Sequence, residues 1–161
     1  MRIRFVASLF VLALVAGGAS AAPRGTGEGV RDCGDGHTLT WSPTAIWPPN
    51  HQYKTVTITY SDQNPDHDLA LMVTGVSHDE VTDDGTELNG AGATPVATDG
   101  VITNPGGTGK GSVKATVDVR AERSGKGNGR TYTITYTAKS MDGDSEDNDC
   151  SGSVTVDVPH D

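Results

Sequence analysis

The densest concentration of reactive side chains in this chain is one short acidic segment near its C-terminus, Asp142-Gly-Asp-Ser-Glu-Asp-Asn-Asp149. Calcium is held by about six to eight hard oxygen ligands, often from carboxylates two residues apart on a flexible loop. Asp142, Asp144 and Glu146 have that spacing. Asp79 and Glu80 leave a different strand and are expected to reach the same end of the fold. The candidate calcium ligands are therefore Asp142, Asp144, Glu146, Asp79 and Glu80, and calcium is the only cofactor the sequence suggests. The EF-hand pattern is not met, because Asp147 stands where its glycine should be and no glutamate closes the loop. A solvated acidic loop is the plainer reading of the same residues.

The other reactive side chains are scattered. The five histidines, His37, His51, His67, His78 and His160, form no His-x-x-x-His or similar pair, so zinc has no local signature. They are expected to serve as structural hydrogen-bonding groups. Arg120, Glu122, Arg123 and Arg130 gather around Asn128-Gly129 and read as a surface ion-pair network, with Arg120 and Glu122 facing outward. Trp41 and Trp47 are the only tryptophans. One is expected in the core and one half-exposed, with sugar stacking as the functional alternative. No Gly-x-Ser-x-Gly elbow occurs, and Gly109-Lys110 is followed by Gly111, which breaks the phosphate-loop pattern. No catalytic residue is expected.

The elements that carry these groups are strands. Val56, Ile58 and Tyr60 alternate with Thr55, Thr57 and Thr59; Val113, Ala115, Val117, Val119 and Ala121 alternate with Lys114, Thr116, Asp118, Arg120 and Glu122. Tyr132, Ile134, Tyr136 and Ala138 alternate with threonines, and Leu69, Leu71 and Val73, then Val154, Val156 and Val158, follow the same rule. Period two is the mark of a half-buried strand. A weaker first strand covers Thr38 to Trp41, and Val101 to Thr103 suits a short edge. Asn128-Gly129 is a favoured tight-turn pair, so strands over Ser112–Arg123 and Arg130–Ser140 are expected to flank a short connection. The fold class predicted is all-β, an immunoglobulin-like antiparallel β-sandwich of about seven strands. Residues 79–111 stand out as an unusually long connection with almost no apolar run.

Composition narrows the setting. Of 161 residues, 12 are Lys or Arg and 21 Asp or Glu, a formal charge of −9 that argues against nucleic acid and against anionic lipid. Residues 1–21 have the basic start, apolar run and Ala-Ser-Ala ending of a secretory signal peptide. Residues 22–36, rich in Gly, Arg and Asp, read as a disordered leader, and 37–161 as the β-sandwich domain. The predicted location is secreted, extracellular or periplasmic, with no membrane attachment after cleavage. In such a compartment the two cysteines, Cys33 and Cys150, are expected to form an intrachain disulfide.

Several phrases carry a resemblance: Trp47-Pro-Pro-Asn-His51, Arg120-Ala-Glu-Arg-Ser-Gly125, Tyr132-Thr-Ile-Thr-Tyr136 and Val158-Pro-His-Asp161. Together they resemble the immunoglobulin-like, hyalin-repeat-related modules of exported bacterial proteins. The resemblance spans residues 42–161 and implies a non-catalytic structural or binding module of adhesion or surface-interaction type. Its implied partner is a protein or glycan at the cell surface, and the chain is expected to be a monomer. The alternatives are a calcium-dependent carbohydrate- or adhesion-binding module and a small extracellular hydrolase of glycosidase type.

Overall fold

The computed structural model describes residues 27–80, 99–123, 128–142 and 149–160. The expected signal peptide (1–21), the first residues of the expected leader and most of the acidic segment lie outside them. Among the described residues there are nine strands: β1 (Gly29–Gly34), β2 (His37–Ser42), β3 (Tyr53–Asp62), β4 (Asp68–His78), β5 (Gly100–Asn104), β6 (Gly106–Lys110), β7 (Ser112–Arg120), β8 (Gly129–Ser140) and β9 (Gly152–Pro159). They form two antiparallel sheets, ordered β1-β2-β3-β7-β5 and β6-β4-β8-β9. The protein is thus the all-β antiparallel sandwich that the alternating pattern predicts.

The alternation is what closes the two sheets on each other. Leu39, Val56, Ile58, Tyr60, Val117, Val119, Tyr132, Ile134, Tyr136 and Val156 all sit in one buried cluster. β-Branched and aromatic residues suit this pleated, half-buried surface, and the threonines between them keep the outer faces polar. β3 and β7 pair over nine residues, from Tyr53↔Arg120 to Ser61↔Ser112, so one sheet has a long continuous centre.

Two strands exceed the expected seven, and both lack the apolar signature. β1 lies inside the segment expected to be a disordered leader. Its inward positions are Gly29, Arg31 and Cys33, none of which reads as a core residue. Gly29 lies beneath Trp41, where a Cβ would come within 2.1 Å of the indole. Arg31 reaches across to the other sheet, donating to the Tyr136 hydroxyl at 2.6 Å and the Ser153 carbonyl at 3.2 Å. Cys33 is bonded to Cys150 with the Cα atoms 5.5 Å apart. β6 is Gly-Gly-Thr-Gly-Lys and pairs with β4 through the backbone ladder, with one ion pair at its end from Lys110 to Asp68 at 3.5 Å. Gly106 fits there because a Cβ would meet the Leu71 carbonyl oxygen at 2.2 Å.

Connections differ from expectation at two places. β5 and β6 occupy the C-terminal part of the long 79–111 connection, while 81–98 lies outside the described residues. β7 and β8, expected to flank a short connection, belong to different sheets, so the chain crosses the sandwich between them. Asn128-Gly129 still opens β8, with Gly129 at φ +107. Both tryptophans are half-buried, where one was expected in the core and one half-exposed. Trp41 donates its indole N–H to the Thr155 carbonyl at 3.0 Å, linking β2 to β9 across the sheets.

Ile134 is fully buried at the centre of β8. Ile134→Ala should lower the unfolding free energy by about 2–5 kcal/mol in denaturant melts. A loss well below 1 kcal/mol would mean that Ile134 does not face the packed interior.

Candidate functional site

Strand directions decide which reactive groups meet. β4 begins at Asp68, whose N–H donates to the Asp142 carboxylate, and ends at His78, just before Asp79. Asp79 accepts the Thr131 N–H at 2.7 Å, near the start of β8. Asp79 and Asp142 therefore lie at opposite ends of an 11-residue strand, about 33 Å apart at a rise of about 3.3 Å per residue. Glu80 follows Asp79 at the same end. This corrects the five-carboxylate calcium set: Asp79 and Glu80 cannot share an ion with Asp142. Asp144 and Glu146 lie outside the described residues.

The end that holds Asp79 carries a buried ion network. Arg130, expected on the surface, is fully buried, as are Asp99 and Tyr132. Arg130 Nη1 lies 3.4 Å from Asp99 Oδ2 and donates to the Tyr132 hydroxyl at 3.1 Å. That hydroxyl donates in turn to the Arg120 carbonyl at 2.7 Å. His78 Nε2 is 3.6 Å from Asp99 Oδ2, and its ring meets Tyr132 edge-on. Glu122, also expected to face outward, is buried and pairs with Arg120 Nε at 2.9 Å. His51 stands 3.5 Å from the same carboxylate. For Arg130 the cause is phase. Position 130 is in phase with Tyr132, Ile134 and Tyr136, so its side chain enters the sandwich. The carboxylate of Asp99 and the hydroxyl of Tyr132 make that burial tolerable.

Burial and charge set the protonation here. Burial, then the neighbouring Arg130 charge, lowers the His78 pKa, with the Glu80 backbone and the Asp99 and Asp79 carboxylates offsetting part of the effect. Burial foremost, with the Asp99 and Glu122 charges, pushes Tyr132 up to about 12 against the opposing pull of Arg130. Both groups are neutral at ordinary pH, and the network works as an internal polar truss.

The opposite end gathers His37 at the start of β2, Asp62 at the end of β3, and His67 in the β3–β4 loop. His37 Nε2 lies 2.8 Å and His67 Nδ1 2.7 Å from the same oxygen, Asp62 Oδ2. The other oxygen, Oδ1, accepts the Asn64 N–H at 2.7 Å. His37 is packed flat against Tyr60, with centroids 5.6 Å apart, and its Nδ1 is 3.3 Å from the Gly34 carbonyl. Burial pushes the Asp62 pKa up, but the Asn64 N–H, the His67 hydrogen bond and the two imidazole charges outweigh it and leave the pKa lowered. Sequence spacing could not have paired these residues: 37, 62 and 67 share no local motif. The available signal was phase, since Asp62 continues the inward row Val56, Ile58, Tyr60 and His37 precedes Leu39 by two.

The outer face of the β6-β4-β8-β9 sheet has a shallow groove that includes Ala70, Met72, Thr108, Thr137, Lys139 and Ser151. Met72 projects there, about half-exposed, and Thr74 and Thr135 hydrogen-bond across the strands at 3.3 Å. Compared with known proteins, the chain matches no family model, no curated protein and no solved structure.

Removing one partner of the buried pair should be far more damaging than removing both. Arg130→Ala leaves Asp99 without its buried cation and should lower stability by about 3–5 kcal/mol, whereas Arg130→Met with Asp99→Leu should recover most of that. Equal losses in denaturant melts would refute the pairing. A pH effect is also expected. The unfolded chain protonates His78 near pH 6.5, the folded chain only at lower pH. Between those values the unfolded state binds more protons, so stability should fall as pH drops from about 7 through that window. His78→Gln should flatten this part of the Tm–pH curve, and an unchanged curve would exclude His78 as its source.

Proposed function

We propose that the chain is a secreted, non-catalytic structural and binding module, acting at a cell surface or beyond it through adhesion-type contacts with a protein or glycan. The observation that carries this reading is the solid, cross-braced sandwich closed by Cys33–Cys150. The bridge joins the first strand to the entry of the last, between cysteines 117 positions apart in sequence. A disulfide of this kind persists in oxidising, extracytoplasmic compartments. Among the described residues no helix is long and apolar enough to cross a membrane, which says nothing of strands. The fully buried side chains between the sheets leave interaction to the outer faces, edges and ends.

The outer groove is the surface best suited to such contacts. Met72 supplies an apolar centre, Thr108, Thr137 and Ser151 supply hydroxyls, and Lys139 and Asp149 give both signs of charge at its margin. Mixed polar and apolar surface of this kind suits a wet, reversible interface more than an obligate one. The hyalin-repeat-like phrases of the sequence point the same way, towards display or adhesion.

Two measurements test the reading. Cells expressing the full gene should release a protein shortened at its N-terminus, without alkylatable thiols. Reduction should then lower its stability by up to about 4–5 kcal/mol, the loop-closure limit, with β-sheet circular dichroism retained in the cold. The labelled protein should also bind an envelope fraction or a glycan array, and Met72→Asp should weaken that binding at least tenfold. Retention in the cytoplasm with free thiols would overturn the secreted module, and full binding by the Met72 variant would move the contact away from the groove.

A further inference from the structure

We infer that His37, Asp62 and His67 form a binding site for one zinc-type divalent cation at the end of the sandwich where β2 begins and β3 ends. The inference stands independently of any adhesive role. The three ligand atoms, His37 Nε2, Asp62 Oδ2 and His67 Nδ1, all lie within 4.8 Å of one another. Two imidazoles and a carboxylate are ligands that zinc takes at about 2.0–2.2 Å. The same set is too nitrogen-rich for calcium or magnesium, which prefer all-oxygen cages.

The second observation is the state of His37. Its side chain is 3% exposed, and Nε2 is a buried nitrogen without a hydrogen-bond partner, although Asp62 Oδ2 lies 2.8 Å away. Nδ1 faces the Gly34 carbonyl at 3.3 Å, so that nitrogen carries the proton. In the neutral ring, the Nε2 lone pair then confronts a carboxylate oxygen across less than 3 Å. Two lone pairs at that distance repel unless a positive charge lies between or beside them. A proton supplies one answer; a cation shared with His67 supplies the other and uses all three donors.

The surroundings are those of a built ligand set. Metal-bound histidines characteristically donate the second ring N–H to a backbone carbonyl or carboxylate, which sets tautomer and orientation. Gly34 does this for His37, and Tyr60 packs flat against the same ring. Asp62 spends its other oxygen on Asn64 N–H, which holds the ligating oxygen in place. Gly111 N donates to the His67 carbonyl at 2.9 Å and anchors the third ligand's backbone. A tetrahedral zinc needs its ligand atoms about 3.3 Å apart, given bonds of about 2.0–2.1 Å. The observed 2.7 and 2.8 Å require a small outward shift, and the His67 side chain, 42% exposed on a loop, is the one able to move. That exposure also leaves a fourth position for water. Bound metal would pin the β1–β2 turn, beside the disulfide, to the β3–β4 loop.

The test uses the mature, oxidised chain without a histidine tag, stripped with a chelator and titrated with Zn²⁺ against a chromophoric competitor. One equivalent should bind, and Tm should rise by about 5 °C or more when free zinc exceeds Kd a hundredfold. Co²⁺ in the same site should give the intense visible bands of a tetrahedral ion. His67→Ala, an exposed loop change, should weaken Zn²⁺ by on the order of 100-fold or more, since even supporting partners contribute about 10–100-fold. Asp62→Asn should do likewise while keeping the Asn64 contact, and millimolar Ca²⁺ should leave zinc occupancy unchanged. Absence of Zn²⁺ binding would overturn the inference and leave the three residues a proton-linked cluster. Undiminished binding by both variants, or displacement by Ca²⁺, would overturn it equally by placing the ion elsewhere.

Discussion

Everything in this fold depends on the burial of alternate side chains between two sheets. Each strand offers one face to the interior, and the residues there, from Leu39 through Val156, pack as one cluster. Removing apolar area from water is the main favourable term available. That term requires every strand to keep its phase, because a one-residue slip would turn each apolar row outward and each threonine row inward. The places where phase is interrupted are few and local. β4 shifts register between Val73 and Gly75, after which Val76 and His78 take over the inward row.

A sandwich of this kind has two ends and two open sides, and polar chemistry collects at both. At the ends the inward rows run out of apolar residues but keep their direction. His37, Asp62, His78 and Arg130 are each a last or first member of an inward row, and each is therefore carried into low dielectric by its neighbours. A buried charge is tolerated only with partners, so the two ends solve the same problem differently. One end neutralises Arg130 with Asp99 and ties it to Tyr132. The other brings two imidazoles onto a single carboxylate oxygen. Metal or proton, a positive charge belongs there for the same electrostatic reason that Asp99 belongs beside Arg130.

Much of the architecture was legible in the sequence because burial on a pleated sheet leaves a period of two, which the core strands obey apart from the shift within β4. Two strands carry no such imprint. β1 faces inward with glycine, arginine and cysteine, and β6 is nearly all backbone. The disulfide was legible from the even cysteine number and the expected export. Arg130 departs from expectation because phase outweighs residue type: it falls two before Tyr132, and the row sets its direction. Glu122 is different, since β7 ends at Arg120 and the chain beyond no longer alternates. The acidic residues part for a topological reason. Asp79 and Asp142 are both strand-end residues, but whether they share an end depends on the direction of β4, which no local pattern records.

The open side where β1 and β2 approach β9 shows how weak strands are retained. The Cys33–Cys150 bridge, the Arg31 contacts to Tyr136 and Ser153, and the Trp41 indole bond to Thr155 all cross from one sheet to the other. The chain then continues along β9, where Ile46 N donates to the Asp157 carbonyl at 2.7 Å and Asp157 N to that of Thr44 at 2.9 Å. None of these contacts is apolar burial, yet together they cover the edge that β9 would otherwise leave unpaired, and an unpaired edge invites association with other chains. The opposite side is closed by the chain itself, where Pro105 passes between β5 and β6 and its carbonyl accepts the Val73 N–H at 2.7 Å. With both sides closed in these ways, the remaining freedom to meet a partner lies on the threonine-covered faces and at the two polar ends. Those ends differ in kind: the arginine end pairs its charges with one another, Arg130 with Asp99 and Arg120 with Glu122, whereas the histidine end turns two imidazoles onto one carboxylate oxygen.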